Sequence, residues 1–541
     1  MNRWVTLGLV LAALGAVVLR WPAPGQRPMH NDEAVNGVKF GQLWERGAYR
    51  YDPNEHHGPT LYYFTAGVSA LSGAPGVISG ITDERLRWVT VLFGVGLVWL
   101  VLLFRDGLGQ AGLLWAGILI AVSPAFVFYS QYYIHEMPLV FFAAGVLGCG
   151  WRYWISRKVG WALLCGICLG LMAATKETFV LSAAAGLMAL VANQAWSRLL
   201  DAAERPATVA PLSLRHLGLG AAACLAAAGL MFSSFFANPT GILDAVRTYQ
   251  PWLARAGGDS PHLHPWYFYI ERLLFFKAAR GAFWTEGFIL LLAAIGAYAG
   301  FSRKGLGGAR AGLLRFLAFY SVVLAGIYAA IWYKTPWCLL NFWHGFLLLA
   351  GAGAGWMLHA VPGGWKKGVV VAVLLGGTAH LGFESYRAVN VSGADRSNPY
   401  VYAQTSANLL RLVERVDELA GHASGADTLI KVMAGDGDYW PLPWYFRQYK
   451  NVGWWERLAA DPYAPLMVVS AEMKAALDEK GTHLMVGYSE LRPGVFLELY
   501  VEFELWKRYL EKRTTADAAN APQRVGHVGA DTSFPANTIP L

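Results

Sequence analysis

Charged residues are scarce in this sequence. Of its 541 residues only 15% are Asp, Glu, Lys or Arg, whereas 55% are hydrophobic and 14% are aromatic. An ordinary soluble domain carries about 25% charged residues, so the composition is typical of a protein that lies in a lipid bilayer. The net charge of +8 does not indicate nucleic acid as a partner, because a basic excess in a membrane protein belongs to its cytoplasmic loops.

Cysteine is scarce as well. The five cysteines fall in or beside apolar runs, and none lies in the polar segments that could hold a disulfide framework. Cys165 and Cys168 form a Cys-x-x-Cys pair, but an apolar helix is a poor setting for redox or zinc chemistry. We therefore interpret both as small residues that pack between helices.

Long apolar runs are abundant. A membrane-spanning helix needs about 17 to 25 apolar residues, and eleven runs approach or reach this length. They cover residues 4–20, 88–104, 111–128, 137–155, 161–175, 178–194, 216–236, 284–301, 312–332, 338–360 and 368–386. The first run could also be read as a cleaved signal peptide. We expect it to be retained, because the topology of the later runs needs it as a span.

The orientation follows from the distribution of Lys and Arg, which concentrate in cytoplasmic loops. With the N-terminus in the cytoplasm, the cytoplasmic segments hold fourteen basic residues against three acidic ones, Asp106, Asp201 and Glu204. The short loops on the other side hold only Lys176 and Lys334. The sequence thus predicts a multi-pass protein of the cell inner (plasma) membrane with an extracytoplasmic C-terminal region.

Three polar regions face outward in this topology. Residues 21–87 and 237–283 form long loops of a transmembrane domain that covers residues 1–386. A small extracytoplasmic α/β domain is predicted for residues 387–513, because strand-like runs such as 428–433 and 466–469 alternate with helix-like runs at 471–479 and 503–512. The tail, 514–541, lacks periodicity and is predicted to be disordered. The fold class is therefore an all-α polytopic membrane protein with about eleven spans and a small C-terminal α/β domain.

The sharpest chemical motif, Asn31-Asp32-Glu33, follows the first span. Adjacent carboxylates at a membrane surface suit a general base or a metal ligand, which makes Asp32 and Glu33 the catalytic candidates. The alternative is structural: Asn31 or Asp32 would cap a helix through Val35–Trp44, and Glu33 would favour the positive end of that helix.

Other ionisable residues gather in the outward loops, at span ends where such groups are costly to desolvate unless they serve a partner or a ligand. They are Glu55, His56 and His57 in the first loop, His135 and Glu136 after the third span, and Lys176, His262, His264 and Lys334 in later loops. Lys176 and Lys334 could simply extend toward lipid headgroups. Together with His264 they could instead clamp a phosphate or diphosphate.

As a set, these motifs resemble the glycosyltransferases of the C-type (GT-C) fold that use polyprenyl-phosphate sugars. The resemblance rests on the acidic pair after the first span, the acidic position after the third span, and the segment His264-Pro265-Trp266-Tyr267-Phe268-Tyr269. It is closest to the superfamily of protein O-mannosyltransferases and aminoarabinose transferases. The segments Tyr333–Trp337 and Asp438–Tyr445 are similar to a prokaryotic subfamily described as flippase-activity-associated.

The resemblance implies a role for each motif. Asp32 would be the general base, with Glu33 as its neighbour or the alternative base. His135 and Glu136 would form the second acidic motif, although the Arg that usually precedes this motif is absent here and Gln131 lies nearby instead. The donor phosphate would be bound by Lys176, His264 and Lys334. Glu55, His56, His57 and His262 would hold phosphate or a divalent metal ion (Mg²⁺, Mn²⁺ or Zn²⁺).

The implied reaction moves a sugar from a polyprenyl-phosphate donor to a hydroxyl of a protein, lipid or glycan acceptor. A glycosyl phosphate already carries a good leaving group, so one base and positive charge on the phosphate suffice. The donor's prenyl chain would lie in a groove between spans, beside the membrane lipid. Two alternatives remain: a flippase or other transporter for lipid-linked sugars, and a noncatalytic glycan-assembly factor. A transporter should show internal repeats or Gly- or Pro-broken spans, and the sequence indicates neither.

Overall fold

The computed structural model describes residues 2–21, 27–54, 57–199, 211–257, 262–278 and 280–519. The chain divides into two compact units. The larger unit comprises residues 1–410, 439–448 and 490–494, and the smaller unit comprises residues 411–438, 449–489 and 495–541. The larger unit therefore continues past the boundary expected near residue 387, and it includes two short segments of the region assigned to the C-terminal domain.

The larger unit is helical because its apolar runs leave no other way to satisfy the backbone in lipid. Its helices in the described residues are α1 (Arg3–Leu19), α2 (Asn31–Arg46), α3 (Thr60–Leu71), α4 (Asp83–Leu100), α5 (Gln110–Val122), α6 (Pro124–Ser130), α7 (Glu136–Ser156), α8 (Val159–Ala173), α9 (Phe179–Leu199), α10 (Leu214–Phe232), α11 (Gly241–Arg247), α12 (Tyr249–Gly257), α13 (Phe268–Leu274), α14 (Gly287–Ser302), α15 (Ala311–Ala330), α16 (Leu340–Ala360), α17 (Trp365–Tyr386) and α19 (Leu442–Tyr445).

Each of the eleven predicted spans coincides with a helix or a helix pair. Within the described residues, seven helices are long and apolar enough to cross a membrane, and the bent pair α5 and α6 would make an eighth span. The remaining three predicted spans are the shorter apolar helices α1, α8 and α14. The protein is therefore a multi-pass membrane protein, as the apolar runs predicted.

Small residues bring neighbouring spans into backbone contact. A Cβ atom on Gly166 of α8 would lie 2.0 Å from the carbonyl oxygen of Gly220 in α10. A Cβ on Gly353 of α16 would lie 1.9 Å from the carbonyl oxygen of Leu292 in α14. Such close approach allows van der Waals packing between the helices, which stabilises their association in lipid, where the hydrophobic effect does not. Cys165 and Cys168 are free thiols in α8, in keeping with a packing role.

One span is broken, which corrects the expectation that the sequence contains no Pro-broken span. Helices α5 and α6 meet at Ser123 and Pro124 with a bend of 54°. The buried guanidinium of Arg20 closes one side of the break by donating to the carbonyl oxygens of Ile120 and Ala121, at 2.9 and 2.7 Å. On the other side, the amide of Ala125 donates to the Glu286 carboxylate at 3.0 Å. The freed backbone groups thus find protein partners, as they must in lipid.

The smaller unit is built on a five-stranded sheet in the order β2-β1-β3-β5-β4. Strand β1 pairs in parallel with β2 and with β3, whereas β3 and β5 are antiparallel. The inner strands β1 and β3 are continuously buried, as expected for strands with both faces covered. The strands are β1 (Ile430–Met433), β2 (Val452–Trp455), β3 (Leu466–Ser470), β4 (His483–Arg492) and β5 (Val495–Glu502), and the helices are α18 (Asn408–Gly421) and α20 (Phe503–Ala519).

Two expectations for this region are corrected. The run 471–479 is not a helix but a single 3₁₀ turn, Ala471–Met473, because Lys474 and Ala476 adopt positive φ angles that a right-handed helix cannot accommodate. Helix α20 continues to Ala519, beyond the predicted start of a disordered tail at residue 514. The rest of that predicted tail, 520–541, lies outside the described residues.

Candidate active site

The site is organised by the N-terminus of α2. His30 caps this helix: its Nδ1 accepts a hydrogen bond from the Asp32 amide at 3.1 Å, and its own amide donates to the Glu33 carboxylate at 2.9 Å. This reciprocal pair is a capping box, closed here by a histidine. The expectation that Asn31 or Asp32 caps the helix is therefore wrong, and the side chain of Asp32 is not used for capping.

Glu33 lies at the centre of a buried ion cluster. Its carboxylate pairs with Arg27 at 2.8 and 3.1 Å and with Arg87 at 2.9 and 3.1 Å, and it also accepts a bond from the amide of Tyr133 at 3.0 Å. Burial by itself would raise the pKa of Glu33, but the two guanidinium groups outweigh burial and hold this pKa well below its ordinary range. The Glu33 carboxylate is thus saturated with donors and is a poor proton acceptor.

Arg27 also lies beside the second acidic motif. Its guanidinium donates to the carbonyl oxygen of Gln131 at 2.6 Å and lies 3.8 Å from the centre of the Tyr132 ring. A guanidinium from the segment before α2 is therefore close to Gln131, in the stretch before the motif where the resemblance implies an arginine.

Asp32 contrasts with Glu33. Its side chain is 47% exposed, and among the described residues its carboxylate has one ion-pair contact, with the His30 ring at 4.0 Å. Burial lowers the pKa of the nearby His262, and the negative charge of the Asp32 carboxylate partly opposes this shift. Asp32 is therefore an accessible carboxylate at the edge of a histidine cluster.

A short two-stranded contact brings the loop before α13 to the loop before α16. The amide of His264 donates to the carbonyl oxygen of Trp332, and the amide of Lys334 donates to the carbonyl oxygen of His262, at 3.1 and 2.9 Å. Because side chains alternate along an extended strand, His262 and His264 point to the same side. Both rings contact the hydroxyl group of Tyr402, at 2.7 Å from His262 Nδ1 and 3.0 Å from His264 Nε2.

Positive charge concentrates beside His264. The Lys334 ammonium group donates to the carbonyl oxygen of His264 at 3.0 Å, and the guanidinium of Arg272 lies 3.5 Å from the centre of the Phe268 ring on which His264 stacks. Burial, followed by the charges of Arg272, His262 and Lys334, lowers the pKa of His264 to about 4. The imidazole of His264 is therefore neutral at ordinary pH and lies near the cationic groups of Lys334 and Arg272.

These two cations are weakly compensated. Among the described residues, no carboxylate lies within 4.0 Å of the Lys334 ammonium group, and Arg272 has only a 3.8 Å contact with the half-exposed Glu271. Burial lowers the pKa of both Lys334 and Arg272. An anionic ligand would supply the missing negative charge.

Lys176, the third residue expected at the phosphate, lies in a different cluster. It is buried and forms an ion pair with Glu136. Burial by itself would lower the pKa of Lys176, but the Glu136 carboxylate outweighs burial and raises this pKa. In the same cluster, His57 contacts Glu177 at 2.8 Å. Burial would raise the pKa of Glu177, but His57 and Lys176 lower it to about 2. The structure thus brings His264 and Lys334 together but not Lys176.

The loop from His57 to Thr60 is held against the loop after α8. The Gly58 amide donates to the carbonyl oxygen of Thr175, and the Thr60 amide donates to that of Ala174, each at 3.1 Å. His135 Nε2 lies 3.0 Å from the Gly58 carbonyl oxygen. The residues His57, His135 and Glu136 thus join Lys176 and Glu177 in one group, which is buried except at His57, whose side chain is 38% exposed.

The predicted metal or phosphate set is divided by the fold. Glu55 and His56 lie outside the described residues. His57 contacts Glu177 and the His135 ring, whereas His262 contacts Tyr402 and Tyr333. Among the residues that the structure describes, no three His, Cys, Asp or Glu side chains come together to hold a metal ion.

The segment before Asp32 is supported by residues from the chain after the last span, of which only Tyr445 belongs to a segment that the sequence analysis singled out. The His30 Nε2 contacts the carbonyl oxygen of Tyr402 at 3.1 Å, Thr405 donates to the carbonyl oxygen of Met29 at 2.8 Å, and the Met29 amide donates to the Tyr445 hydroxyl at 2.8 Å. Arg272 follows directly on the aromatic segment 264–269 and could have been found from that position. Nothing local marked Tyr402 or Thr405, which come from the chain after the last span.

Comparison by family is limited to part of the chain. Residues 56–213 match the model of the dolichyl-phosphate-mannose-protein mannosyltransferase family. No curated protein matches the sequence. The matched residues include the loops of His57, His135 and Lys176 but not Asp32, His264 or Lys334.

Solved structures match over most of the length. ArnT from Cupriavidus metallidurans bound to undecaprenyl phosphate has 13% identity and a TM-score of 0.61, with 93% of this chain and 98% of that chain covered. The Archaeoglobus fulgidus oligosaccharyltransferase tethered with an acceptor peptide has 12% identity and a TM-score of 0.56, with 84% of this chain and 64% of that chain covered. AglB from the same organism, in complex with an inhibitory peptide and a dolichol-phosphate, has 13% identity and a TM-score of 0.53, with 87% and 70% covered. The C-type fold expected from the sequence is confirmed.

Proposed function

We propose that this protein is a glycosyltransferase of the membrane that moves a sugar from a polyprenyl-phosphate donor to an acceptor hydroxyl on the extracytoplasmic face. The observation that carries the proposal is one site with two parts: the accessible carboxylate of Asp32, and the weakly compensated cations Arg272 and Lys334 beside the histidines that face Tyr402. The likeness of the fold to structures that contain undecaprenyl phosphate or a dolichol-phosphate supports the choice of donor.

The two parts correspond to the two ends of an inverting displacement. Asp32 takes the proton from the acceptor hydroxyl as its oxygen forms a bond to the anomeric carbon of the sugar. The bond from that carbon to the phosphate oxygen breaks, and the polyprenyl phosphate leaves with the electron pair. Arg272 and Lys334 stabilise the negative charge that develops on the phosphate. Attack opposite the phosphate inverts the anomeric centre.

His264 and Tyr402 fit the same end of the reaction. Because His264 is neutral, it can donate a hydrogen bond from one ring nitrogen without the cost of a third buried cation. The Tyr402 hydroxyl contacts both His262 and His264 and fixes the orientation of their rings. We assign these residues to the phosphate end and assign Asp32 alone as the general base.

Glu33 and Lys176 take supporting roles in this proposal. Glu33 orients the first turn of α2 through its pairs with Arg27 and Arg87, which places its neighbour Asp32. Lys176 is neutralised by Glu136 and joins two outer loops. This mechanism does not require a divalent metal ion. Were such an ion bound, Glu55 and His56 would be the residues that join His57 as its ligands.

The proposed setting is the cell inner membrane, with the N-terminus in the cytoplasm. The charge distribution supports this orientation, because the segments on the side opposite to Asp32, His264 and Lys334 hold fourteen basic residues against three acidic ones. The acceptor would be a protein, a lipid or a glycan outside the cytoplasm.

A transporter is the alternative that the broken span brings forward, because such breaks often surround a substrate site. The charged groups at this break are saturated, however. Arg20 donates to three backbone carbonyl oxygens and Ser130, and Glu286 accepts from Ser123, Ala125, Tyr400 and Trp343. The break therefore leaves no open charge for a substrate.

The test is transfer of labelled sugar by the purified full-length protein from synthetic polyprenyl-phosphate sugars to membrane extracts. We expect label in a lipid, protein or glycan fraction and release of free polyprenyl phosphate. The control is the Asp32→Asn protein under the same conditions. Movement of the intact donor across a vesicle bilayer, without release of polyprenyl phosphate, would replace the proposal by a transporter.

A further inference from the structure

The smaller unit has a cleft that the proposed reaction does not use. It lies between α18 and α20 and has a volume of about 520 Å³. This volume falls within the range of small-molecule sites, about 300–1,000 Å³, and is larger than a bare inorganic ion requires. The lining residues are Arg415, Glu418, His422, Tyr509, Lys512 and Arg513.

The cleft carries an excess of positive charge around one hydroxyl group. Arg415 and Arg513 both donate to the Tyr509 hydroxyl oxygen, at 2.5 and 3.2 Å. Tyr509 in turn donates to Glu418 at 3.1 Å, and Lys512 adds a third cation at the exposed rim. Three cations therefore face a single carboxylate.

This arrangement is electrostatically incomplete. Two guanidinium groups that share one oxygen atom repel each other, and negative charge nearby relieves the repulsion. Glu418 pairs with Arg415 at 3.2 Å and so offsets one of the two. Among the described residues, no carboxylate pairs with Arg513 or Lys512. The remaining charge is close to that of one phosphate monoester, about −1.5 to −2 near neutral pH.

We propose that this cleft binds a phosphate group carried by a larger ligand. The guanidinium fork matches two phosphate oxygens at once, and Lys512 matches the third as a point charge. The rest of the cleft leaves room for a group the size of a sugar ring. The phosphate would come from a soluble sugar phosphate or from the headgroup of phosphatidic acid, because each of these is a phosphate monoester. The inference does not rest on the proposed transferase reaction, since the cleft and the active site share no residue.

The experiment measures binding of glucose 1-phosphate and of dihexanoyl phosphatidic acid to the full-length protein in nonionic detergent, by calorimetry at low salt. We expect saturable binding that falls at least fivefold in Lys512→Gln and in Arg513→Gln. Both are exposed positions on a helix, so the fold should be retained, which a melting curve checks. Tighter binding of glucose 1-phosphate identifies a sugar phosphate as the source, and tighter binding of the lipid identifies a headgroup.

The matched control is Arg457→Gln with Lys480→Gln, two exposed cations of the same unit that do not line the cleft. We expect this double variant to bind as the parent does. Arg272→Gln should also keep the cleft binding, which separates it from the proposed donor site. Absence of binding in the parent, or an equal loss in the control, would overturn the proposal.

Discussion

Asp32 and Glu33 are neighbours in the sequence, yet their environments assign them different chemistry. Asp32 is half-exposed, whereas Glu33 is fully buried and paired with two arginines. A base must exchange protons with its substrate, so the accessible carboxylate fits that task and the saturated one does not. At the scale of the residue, the assignment of the base depends on which carboxylate remains accessible to solvent and substrate.

Replacement of Asp32 by Asn separates the chemical role from a structural one. His30 rather than Asp32 caps α2, so the variant should fold and insert normally. Because Asn cannot take a proton, we expect transfer to fall by about 10²–10⁴. The measurement is the rate of sugar transfer at saturating donor, with melting of the purified protein as the check on folding. Transfer at the parent rate would remove Asp32 as the base.

Glu33→Gln is the matched control for the neighbouring position. It leaves Arg27 and Arg87 with buried, unpaired charge, which typically costs about 3–5 kcal/mol of stability. We expect this variant to lose folded protein rather than turnover per folded molecule. A stable Glu33→Gln protein with low turnover would instead return Glu33 to catalysis.

Arg272 and Lys334 should act on the donor and not on the acceptor. We expect Arg272→Gln and Lys334→Gln each to raise the KM for the polyprenyl-phosphate donor about tenfold or more, because each loses a contact with the departing phosphate. The KM for the acceptor should change little. Lys176→Gln is the comparison: it breaks a buried pair with Glu136, so its effect should appear as lowered stability. A Lys176 variant that changes only the donor KM would place Lys176 at the phosphate.

At the scale of the element, the outer loops are joined by close backbone contact. A Cβ atom on Gly58 would lie 2.0 Å from the carbonyl oxygen of Ala174, and the Gly58 amide is bonded to Thr175. The loop that carries His57 and the loop that carries Lys176 can therefore meet only because residue 58 has no side chain.

Gly58→Ala should thus separate the two loops. We expect a loss of about 1–3 kcal/mol of stability from overpacking and a weaker contact between His57 and Glu177. Gly67→Ala in α3 is the matched control, since a Cβ there meets nothing within 4 Å and alanine favours the helix. The measurement is the melting temperature of both proteins in detergent. Equal melting of the two variants would contradict the assigned contact.

At the scale of the whole molecule, the orientation in the membrane determines which side receives the sugar. The basic residues of the loops opposite to Asp32 predict that those loops lie in the cytoplasm. A reporter enzyme that works only outside the cytoplasm, fused after residue 390, should therefore be active. The same reporter fused near Lys158 should be inactive. The reverse pattern would place Asp32, His264 and Lys334 in the cytoplasm and would contradict the proposed reaction on the outer face.

Much of the architecture could be predicted from the sequence, because spans depend on local composition. Eleven apolar runs became eleven helical segments, since a backbone in lipid must bond within its own segment. The prediction of a helix for the run 471–479 is wrong because it rests on helical propensity, which tertiary contacts readily override. The break between α5 and α6 has a local signal in Pro124, which lies inside the run 111–128 and breaks a helix, whereas the residues that hold the break, Arg20 and Glu286, are distant in the sequence.

For the site, the sequence alone determined the types of residue and predicted the side of the membrane on which they lie. Asp32, His264 and Lys334 were found because ionisable groups at span ends are costly and therefore conspicuous. Only the tertiary structure decided which of them act together. In the structure, Glu33 and Lys176 form buried ion pairs, whereas the charges of Arg272 and Lys334 are weakly compensated. Tyr402 contacts His262 and His264. The physical reason is that the charge state and accessibility of a group depend on what surrounds it in space, and those neighbours come from segments far apart in the chain.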